Sequence, residues 1–495
     1  MNKPKLVFSE YQKKIFKEIN QGTKNVIVIA RAGSSKTTSL VEGSKFIPKG
    51  TKTLFCAFNK SIQEELKNRL SDRVECSTLH SLGLRGIKQR FPGVEIDNFK
   101  CPNIAETVVG NKKDNYDLIE SVCKTVSLCK ANLYDTTSKV EEVVLQYGID
   151  TCDTEMPDFA KLVLLTLRKC KEQTKIIDFD DMIYFPFIYK MNVGKWDLVF
   201  VDEFQDLNRA QIELALSAKS PKGRVIAVGD NRQAIYSWRG ADSNMMDVLK
   251  TRLNPVELTL PICYRCPTKV VEMAKEFVPD IQAFDQAPEG EIFNIDISEL
   301  MKLPKPGDVI LSRTNAPLIK QCLKLLKAGK PANIMGRDIG DGLFYLVKKS
   351  KKKTVVDLLK WLLKWEEDEK EKMQIKYPNA STEVISDKAE CIRMFCEDAK
   401  SVEDIKSNIK KLFQDGDNTK VILHSSVHRA KGTEYDNVFI FADTLRGGTE
   451  EEENIHYVAI TRSKKKLYFA RKATKYSAYD DKSTNLEYMD SSETI

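Results

Sequence analysis

Residues 26–40 read VIVIARAGSSKTTSL, and this stretch decides the fold of the chain around it. The β-branched run VIVI predicts a buried strand, the small residues after it predict a tight loop, and Lys36-Thr37 begins a helix. Backbone N–H groups of such a loop converge on an anion at the helix N-terminus, where the helix dipole also favours negative charge. The stretch therefore indicates a phosphate-binding loop.

The loop departs from the common spacing G-x-x-x-x-G-K-[ST], because Ala30 and Ser35 occupy the two glycine positions. A serine at position 35 costs little if its φ is negative. If the loop requires a positive φ there, the strain is about 1–3 kcal/mol. From these residues alone, a plain helix-capping loop remains an alternative.

The other loop residues suit a nucleotide. Gly33 leaves one point free of a side chain, and Ala32 and Ser34 are small. The ammonium of Lys36 can reach the β- and γ-phosphates, and the hydroxyl of Thr37 can ligate Mg²⁺. The loop thus predicts a nucleotide and magnesium site.

Bulk properties set the limits for the chain. It has 495 residues, of which 42% are hydrophobic and 30% charged, so several soluble domains are expected. The net charge of +7 permits a polyanionic partner. We expect no membrane span, because no apolar run approaches about 20 residues. The N-terminal MNKPKLVFSEYQKKIF has no signal-type apolar core, and the scattered cysteines indicate free thiols in a reducing compartment.

Strand-length apolar runs alternate with helix-like segments, which is typical of parallel α/β sheets. They fall into an early and a late group, and they lie at 26–29, 53–57, 198–201, 225–228, 309–311, 421–423 and 438–441. Residues 86–175 and 336–414 have no such runs and show helical periodicity. The pattern predicts two α/β cores, each interrupted by a mainly helical insertion.

A second acidic motif follows the strand pattern WDLVFVDEFQD at Trp196–Asp206. Carboxylates at the end of a strand beside a phosphate loop can hold Mg²⁺ through Asp202, and Glu203 can polarise an attacking water. A solvent-exposed acidic turn is the alternative, and two matches in chain order argue against it.

A third motif, VGDNRQAIYSWRGA, covers Val228–Ala241. Gln233 is a neutral group that can sense a γ-phosphate. Tyr236, Trp238 and Arg239 combine rings with a cation, as single-stranded nucleic acid requires for base stacking and phosphate pairing. By composition alone these aromatic residues fit a core equally well.

The order of motifs resembles that of the superfamily 1 DNA helicases of the UvrD/Rep type. The segments that carry the resemblance are LVFSEYQKKI, ARAGSSKTT, CAFNKSIQEEL, CSTLHSLG, IDFDDMI, VDEFQD, VGDNRQAIYSWRGA, LPICYRCP, ILSRTNA, SSVHRAKGTEYDNVFIF and EEENIHYVAITRSKKKL. They span residues 6 to about 470. The wording AFNKSI, STLHSL and GRDIGDGL is similar to that of the branch containing F-box DNA helicases and phage or viral relatives.

The resemblance implies an α/β fold of two RecA-like parallel-sheet P-loop domains. The first core would comprise residues 1–85 and 176–256, with an insertion at 86–175. The second would comprise 257–335 and 415–480, with an insertion at 336–414, followed by a flexible tail at 481–495.

It also implies a role for each matching residue. The residues expected to catalyse hydrolysis are Lys36, Glu203, Gln233, Arg265 and Arg462. The residues expected to bind ATP are Gln12, Ala32, Gly33, Ser34, Ser35, Lys36, Thr37, Thr38, Tyr264, Arg265, Glu434 and Arg462, with Gln12 and Tyr264 on adenine and Glu434 near the ribose or loop edge. Thr37 and Asp202 would bind Mg²⁺. The single-stranded DNA track would be lined by Phe58, Asn59, Lys60, Thr78, His80, Tyr236, Trp238, Arg239 and His428.

Some positions differ from the usual pattern of these helicases. Arg31 and Ser35 replace small loop residues, and Thr38 stands where many relatives have an arginine near adenine. Asn231 replaces an acidic residue, and Glu453 replaces an arginine. Slow turnover is therefore an expectation.

The resulting functional hypothesis is an ATP- and Mg²⁺-dependent DNA helicase or translocase. It would move on single-stranded DNA, with 3′→5′ polarity implied by the resemblance, and act at single-strand/duplex junctions with replication, repair or recombination proteins. Its compartment would be the cytoplasm, or the nucleus for a eukaryotic or viral source. The alternatives are a nucleic-acid-binding protein with a vestigial nucleotide site, and a translocase that does not unwind or prefers RNA.

Overall fold

The computed structural model describes residues 7–111, 115–235, 245–376, 382–397, 399–413 and 418–472. Its strands are β1 (Val26–Ala30), β2 (Thr53–Ala57), β3 (Val74–Thr78), β4 (Glu95–Ile96), β5 (Ile176–Ile177), β6 (Trp196–Asp202), β7 (Lys219–Gly229), β8 (Val256–Leu260), β9 (Ile262–Cys263), β10 (Gln282–Ala283), β11 (Glu291–Asp296), β12 (Val309–Ser312), β13 (Ala332–Ile334), β14 (Ile422–Ser426), β15 (Tyr435–Phe441) and β16 (Ser463–Arg471).

The helices are α1 (Glu10–Gln21), α2 (Lys36–Ser44), α3 (Lys60–Lys67), α4 (Leu79–Arg90), α5 (Lys100–Val109), α6 (Tyr116–Asn132), α7 (Thr137–Tyr147), α8 (Met156–Glu172), α9 (Phe179–Ile188), α10 (Arg209–Ser217), α11 (Met245–Leu253), α12 (Thr268–Ala274), α13 (Ala316–Lys327), α14 (Arg337–Lys349), α15 (Val355–Lys376), α16 (Glu383–Cys396), α17 (Val402–Leu412), α18 (Val427–Ala430) and α19 (Glu450–Ile460).

The first sheet has six strands in the order β3-β2-β6-β7-β1-β8, and all its neighbouring pairs are parallel. Strand β1 lies inside it, with Val28 opposite Val228 of β7 and Leu258 of β8. Strands covered on both faces read as continuous apolar runs, which explains why VIVI does not alternate with polar residues. We call this sheet and the loops at its strand ends the first lobe.

The second sheet also has six strands, in the order β11-β16-β15-β12-β14-β13, again with parallel neighbours. Buried side chains of residues 262–283 and of helices α18 and α19 pack in one cluster with this sheet. We call the sheet, residues 262–283, α18, α19 and the short connections of these two helices to the strands the second lobe. The predicted α/β class with two RecA-like parallel sheets is confirmed.

Two groups of helices accompany the sheets. Helices α5 to α8 enclose a buried cluster that includes Val126 and Phe159, and helices α14 to α17 contribute to another that includes Ile392 and Phe395. The expectation that residues 86–175 are free of strands is wrong for β4, which pairs with β5. Both residues of β4 are exposed, so the strand has no apolar pattern from which it could be predicted. The boundaries of the four segments stay a prediction.

A buried charge network ties the first helical group to α9. The ammonium of Lys100 lies 2.6 Å from Asp181 Oδ2, and that of Lys130 lies 2.9 Å from Asp178 Oδ2 and 2.9 Å from Asp181 Oδ1. Asp178 and Asp181 also form the capping box of α9. Buried carboxylates require such partners, so the motif IDFDDMI anchors the helices to the first lobe.

The carboxyl ends of β1, β6 and β7 place three motifs at one edge of the first sheet. The phosphate loop follows β1, Asp202-Glu203 ends β6, and Asp230–Gln233 follows β7. Parallel strands bring such loops together, which is where α/β sheets bind ligands. The second lobe covers this edge, because Ala32 and Ile235 belong to the buried cluster of the second lobe.

Within the described ranges, no helix has the length and apolar character that crossing a bilayer requires. All twelve cysteines are free thiols. In the same part of the chain, no three side chains of His, Cys, Asp or Glu converge as a metal-binding group.

Candidate nucleotide and nucleic-acid site

The phosphate loop between β1 and α2 has a left-handed backbone at two positions. Gly33 has φ 67°, and Ser35, the N-cap of α2, has φ 60° and ψ 41°. The side chain of Ser35 makes no capping hydrogen bond. The positive φ considered from the sequence is therefore the one present, with a strain of about 1–3 kcal/mol.

Gly33 lies against the second lobe. A Cβ atom at this position would come within 2.7 Å of Cys263 Sγ and 2.8 Å of Arg265 Cβ. The backbone N–H of Tyr264 donates to the carbonyl of Gly33 at 2.9 Å. Only glycine fits this approach, and it brings Tyr264 and Arg265 beside the loop.

Two side-chain contacts join the start of α2 to the acidic motif at the end of β6. Lys36 Nζ lies 2.9 Å from Glu203 Oε2, and Thr37 Oγ1 donates to Asp202 Oδ2 at 2.9 Å. A hydroxyl and a carboxylate are the hard oxygen donors that Mg²⁺ accepts beside phosphates, so these two residues fit that ion. The hydroxyl of Ser34 is buried and has no hydrogen-bond partner among the described residues.

The pKa values of the two carboxyl groups are shifted in opposite directions. Burial and the neighbouring charge of Glu203 raise the pKa of Asp202 to about 6. Burial also opposes ionisation of Glu203, but the ammonium groups of Lys36 and Lys431 outweigh it and lower the pKa of Glu203 to about 2. Glu203 is therefore a carboxylate, and it becomes a stronger base when Lys36 moves to another anion.

Gln233 is fixed by the buried Asp230. Its Nε2 donates to Asp230 Oδ2 at 2.7 Å. The hydroxyl of Tyr457, from the second lobe, donates to the same oxygen at 3.3 Å and accepts from the N–H of Ala32 at 2.8 Å. The sensor candidate, the phosphate loop and the second lobe thus form one hydrogen-bonded unit.

The two expected arginines lie side by side in the second lobe. Arg265 Nε lies 2.7 Å from Glu434 Oε2, and its Nη1 donates to the carbonyl of Thr461 at 3.2 Å. Arg462 is buried and donates to backbone carbonyls, including that of Thr433 at 3.0 Å. Burial, with the nearby charge of Arg265, lowers the pKa of Arg462 to about 10. Glu434 thus pairs with Arg265, and its expected place near the ribose or loop edge stays a prediction.

The two residues expected around adenine differ in their exposure to solvent. Gln12 is buried, and its side chain accepts from the N–H of Ser9 and donates to Ser39 Oγ at 2.9 Å. Tyr264 is partly exposed, with its ring centroid 5.1 Å from that of Phe284. It is thus the accessible ring at this end of the site.

Thr38 replaces an arginine of many relatives, and an arginine reaches it from elsewhere. Arg69 Nη2 donates to Thr38 Oγ1 at 2.9 Å. Arg69 comes just after α3, so its guanidinium enters the region from a different element. Arg69 is not among the residues expected from the sequence.

The expected DNA residues of the first lobe follow β2 and β3, at the same edge of the sheet. Phe58 is exposed, Asn59 caps α3 by accepting from Ile62 N–H, and Lys60 is exposed. Thr78 caps α4 through Ser81 N–H, and burial lowers the pKa of His80. The side-chain oxygens of Asn59 and Thr78 accept these capping hydrogen bonds. In this structure the two side chains therefore stabilise the N-termini of α3 and α4.

The remaining expected DNA residues are divided. Tyr236, Trp238 and Arg239 lie outside the described residues. His428 is partly buried in α18, in the second lobe. A track across both lobes therefore stays a prediction.

Sequence reasoning missed two groups. Lys431 of the second lobe lies 2.6 Å from Asp206 of the first and also donates to the carbonyl of Gln233. Phe179, the first residue of α9, is exposed, and its ring centroid lies 5.9 Å from that of His80. Lys431 lies in the motif SSVHRAKGTE, and Phe179 lies in IDFDDMI. An aromatic residue among the acidic residues of IDFDDMI was the feature of the sequence that could have identified Phe179.

Two family profiles match the chain. The profile of the UvrD/REP helicase N-terminal domain matches residues 11–254, and that of the UvrD-like helicase C-terminal domain matches residues 422–470. The first match contains the phosphate loop and acidic motif, and the second contains Lys431 and Arg462.

Relatives extend the similarity over most of the chain. F-box DNA helicase protein 1 of Schizosaccharomyces pombe is 26% identical, over 92% of this chain and 56% of that protein. The ATP-dependent DNA helicase PcrA of Bacillus subtilis is 26% identical, over 65% of this chain and 50% of that protein. The Rep helicase of Buchnera aphidicola (strain Bp) is 27% identical, over 50% and 39% respectively. The chain spans about half the length of these relatives.

Proposed function

The chain belongs to the UvrD/Rep helicase family, and from that premise we propose that it is an ATP-dependent motor that moves on single-stranded DNA and unwinds duplex DNA ahead of it. The observation that carries the proposal is the arrangement around Gly33. Lys36 and Glu203 lie on its first-lobe side, and Arg265 lies against it from the second lobe.

Phosphoryl transfer requires positioning and charge stabilisation more than covalent chemistry. Lys36 would bind the β- and γ-phosphates, and in doing so it would release Glu203. The freed carboxylate would accept a proton from the attacking water. Gln233 would contact the γ-phosphate. Its hydrogen bond to Asp230 would hold the side chain in position for that contact.

Arg265 and Arg462 would stabilise charge that develops on the γ-phosphate. Arg265 would exchange Glu434 for phosphate, because that ion pair is partly exposed to solvent. Arg462 would act from behind it, where its bonds to backbone carbonyls hold it in place. Because these cations belong to the second lobe, hydrolysis would be coupled to closure of the two lobes.

Thr37 and Asp202 would hold Mg²⁺, which when bound neutralises phosphate charge and orients the terminal phosphate. Residues 32–35 would surround the phosphates, with the N–H groups of Gly33 and Ser35 and the unpaired hydroxyl of Ser34 as donors. The N–H of Ala32 already donates to Tyr457, and that of Ser34 to the carbonyl of Arg31. Tyr264 would stack on adenine, with Gln12, Thr38 and Arg69 at its edge, and Glu434 would lie towards the ribose.

The nucleic-acid track would use base stacking and phosphate contacts, with little sequence preference and strong salt dependence. In the first lobe it would comprise Phe58, Asn59, Lys60, Thr78 and His80, to which the exposed Phe179 adds a ring. His428 would contact the strand from the second lobe, and Tyr236, Trp238 and Arg239 would complete the track.

We also propose 3′→5′ movement, action at single-strand/duplex junctions, and work with replication, repair or recombination proteins. All three follow from the family alone. The compartment would be the cytoplasm, or the nucleus in a eukaryotic or viral setting.

A second candidate follows from the strained Ser35. A nucleic-acid-binding protein whose nucleotide site turns over weakly would retain the same fold and tolerate that strain. ATP hydrolysis with and without single-stranded DNA, for the wild type and Lys36→Ala, separates the two. DNA-stimulated hydrolysis that Lys36→Ala abolishes supports the motor, and equal background rates in both proteins support the binding protein.

Unwinding is tested on duplexes with a 3′ or a 5′ single-stranded tail. The motor should separate only the 3′-tailed duplex. Unwinding from the 5′ tail alone would overturn the polarity. Hydrolysis without strand separation would identify a translocase, and stimulation by RNA in place of DNA would identify an RNA-directed enzyme.

A further inference from the structure

Arg31 departs from the small residues usual at its place in the phosphate loop, and it is fully engaged. Its Nε and Nη2 each lie 2.9 Å from one carboxylate oxygen of Asp280. Its Nη1 donates to Asp230 Oδ1 and to Asn231 Oδ1, both at 3.0 Å. Asn231 is itself a departure, so two unusual residues of the chain contact each other.

These contacts cross between the lobes. Asp280 lies within residues 262–283 of the second lobe, whereas Asp230 and Asn231 follow β7 of the first. The ion pair of Arg31 with Asp280 is bidentate. Two parallel hydrogen bonds fix the orientation of a guanidinium on a carboxylate more precisely than one does. Arg31 therefore joins the phosphate loop, the third motif and the second lobe through one side chain.

A second arginine makes a parallel connection. Arg232 lies 2.8 Å from Glu453 Oε2 and 3.2 Å from Glu450 Oε1 of α19, and its Nη2 donates to the carbonyl of Phe277 at 2.8 Å. Both carboxylates accept from Arg232, so this second connection also joins the third motif to the second lobe.

Gln233 directly follows the residues that make these two connections, Asp230, Asn231 and Arg232. Its side chain donates to Asp230, which Arg31 neutralises, and its carbonyl accepts from Lys431. Asp230 is completely buried, and a buried carboxylate requires such compensation. Separating the lobes would remove Asp280 from Arg31 and Glu453 from Arg232, and would loosen the segment that holds Gln233.

We propose that Arg31, Asp280, Arg232 and Glu453 form an inter-lobe clasp that makes lobe closure and the placing of Gln233 a single event. The proposal rests on the function proposed for the site. Arg31 and Asp280 are positioning residues, which act on the γ-phosphate through Asp230 and Gln233. Because Asp280 is half exposed, salt should weaken the clasp.

The test is a double-mutant cycle on the full chain with Arg31→Ala, Asp280→Ala and the double variant. DNA-stimulated ATP hydrolysis is measured together with amide hydrogen exchange of residues 230–233 without nucleotide or DNA. We expect Asp280→Ala to lower kcat about fivefold or more, with KM changed by less than about twofold. Exchange at 230–233 should accelerate, and the double variant should be no worse than Arg31→Ala.

The matched control is the exposed pair Glu272 and Lys275, which lies within the second lobe and does not cross to the first. Its alanine variants should leave kcat and exchange unchanged. Arg31→Lys, which retains charge but loses the fork, should restore part of the Arg31→Ala defect. Strictly additive effects, or an Asp280→Ala variant indistinguishable from Glu272→Ala, would overturn the clasp.

The two proposals fail separately. If the folded wild type does not hydrolyse ATP, the motor is wrong, and the exchange measurement still decides whether the clasp holds residues 230–233. If hydrolysis is robust and neither readout responds to Asp280→Ala, the clasp is wrong and the motor stands. Loss of fold in Arg31→Ala leaves the Asp280→Ala comparison decisive.

Discussion

Lys431 of the second lobe places its ammonium 2.6 and 2.7 Å from the two carboxylate oxygens of Asp206 in the first lobe. Both side chains are almost completely buried. The same ammonium contributes to the low pKa of Glu203. A single buried pair thus connects the contact between the lobes with the charge state of the candidate general base.

Replacing Lys431 with methionine should strongly destabilise the protein. The change leaves Asp206 buried without its partner, at a cost of about 3–5 kcal/mol, and the midpoint of urea unfolding should fall accordingly. The double variant Lys431→Met/Asp206→Asn should recover much of this loss. Lys465→Met, at an exposed pair with Asp436, should cost less than about 1 kcal/mol. Equal losses for the two methionine variants would contradict the assignment.

Replacing Ser35 with glycine should relieve the left-handed strain of the phosphate loop. We expect a gain of about 1 kcal/mol in the free energy of unfolding, measured by urea titration, because glycine adopts positive φ without penalty. Ser71→Gly is the control: Ser71 is exposed and absent from the positive-φ positions, so that change should not stabilise. Faster ATP turnover in Ser35→Gly than in the wild type would show that Ser35 slows hydrolysis, as the sequence predicts, and unchanged turnover would contradict that prediction.

Glu203→Gln should retain ATP binding and lose turnover. The amide keeps the shape of the side chain but cannot accept the proton of water, so kcat should fall about 10²- to 10⁴-fold. Fluorescent nucleotide binding checks that the site is intact, and Lys36→Ala should instead weaken binding. Near-normal hydrolysis by Glu203→Gln would disprove its role as general base.

Phe179→Ala should weaken binding of single-stranded DNA by about 1–3 kcal/mol, the usual worth of one stacked base. Phe187→Ala is the control, because Phe187 is exposed on the same helix α9 but lies near its other end. Fluorescence anisotropy with a labelled oligonucleotide measures both. If the two variants lose affinity equally, Phe179 has no specific place on the track.

Stability should fall in acid through His424. Burial lowers the pKa of His424 to about 4, from an ordinary 6.5, and within the described part of the chain its Nε2 has no hydrogen-bond partner. The folded state therefore binds this proton less readily than the unfolded state. The contribution is complete above pH 6.5 and is lost as the pH falls towards 4, by up to about 3 kcal/mol. Urea titrations of wild type and His424→Phe should show a smaller pH slope for the variant.

Much of the site was predictable because its residues lie in short motifs fixed to strand ends. The closeness of Lys36 and Thr37 to Glu203 and Asp202 was predictable, since parallel strands bring their carboxyl ends to one edge, whereas the roles of these residues stay predictions. The contacts of Arg31 and Arg232 were not predictable, because their partners Asp280 and Glu453 lie more than 200 residues away in the chain. No local pattern records a contact between lobes.

The sequence by itself determined the fold class, the family and the residue types at the phosphate loop, because apolar periodicity and motif order are local properties of the chain. The tertiary structure alone decided the φ of Ser35, the pairing of Lys431 with Asp206 and the engagement of Arg31. These depend on where two separately folded sheets meet, and the energy of a buried charge or a left-handed serine is set by neighbours that only the assembled lobes supply.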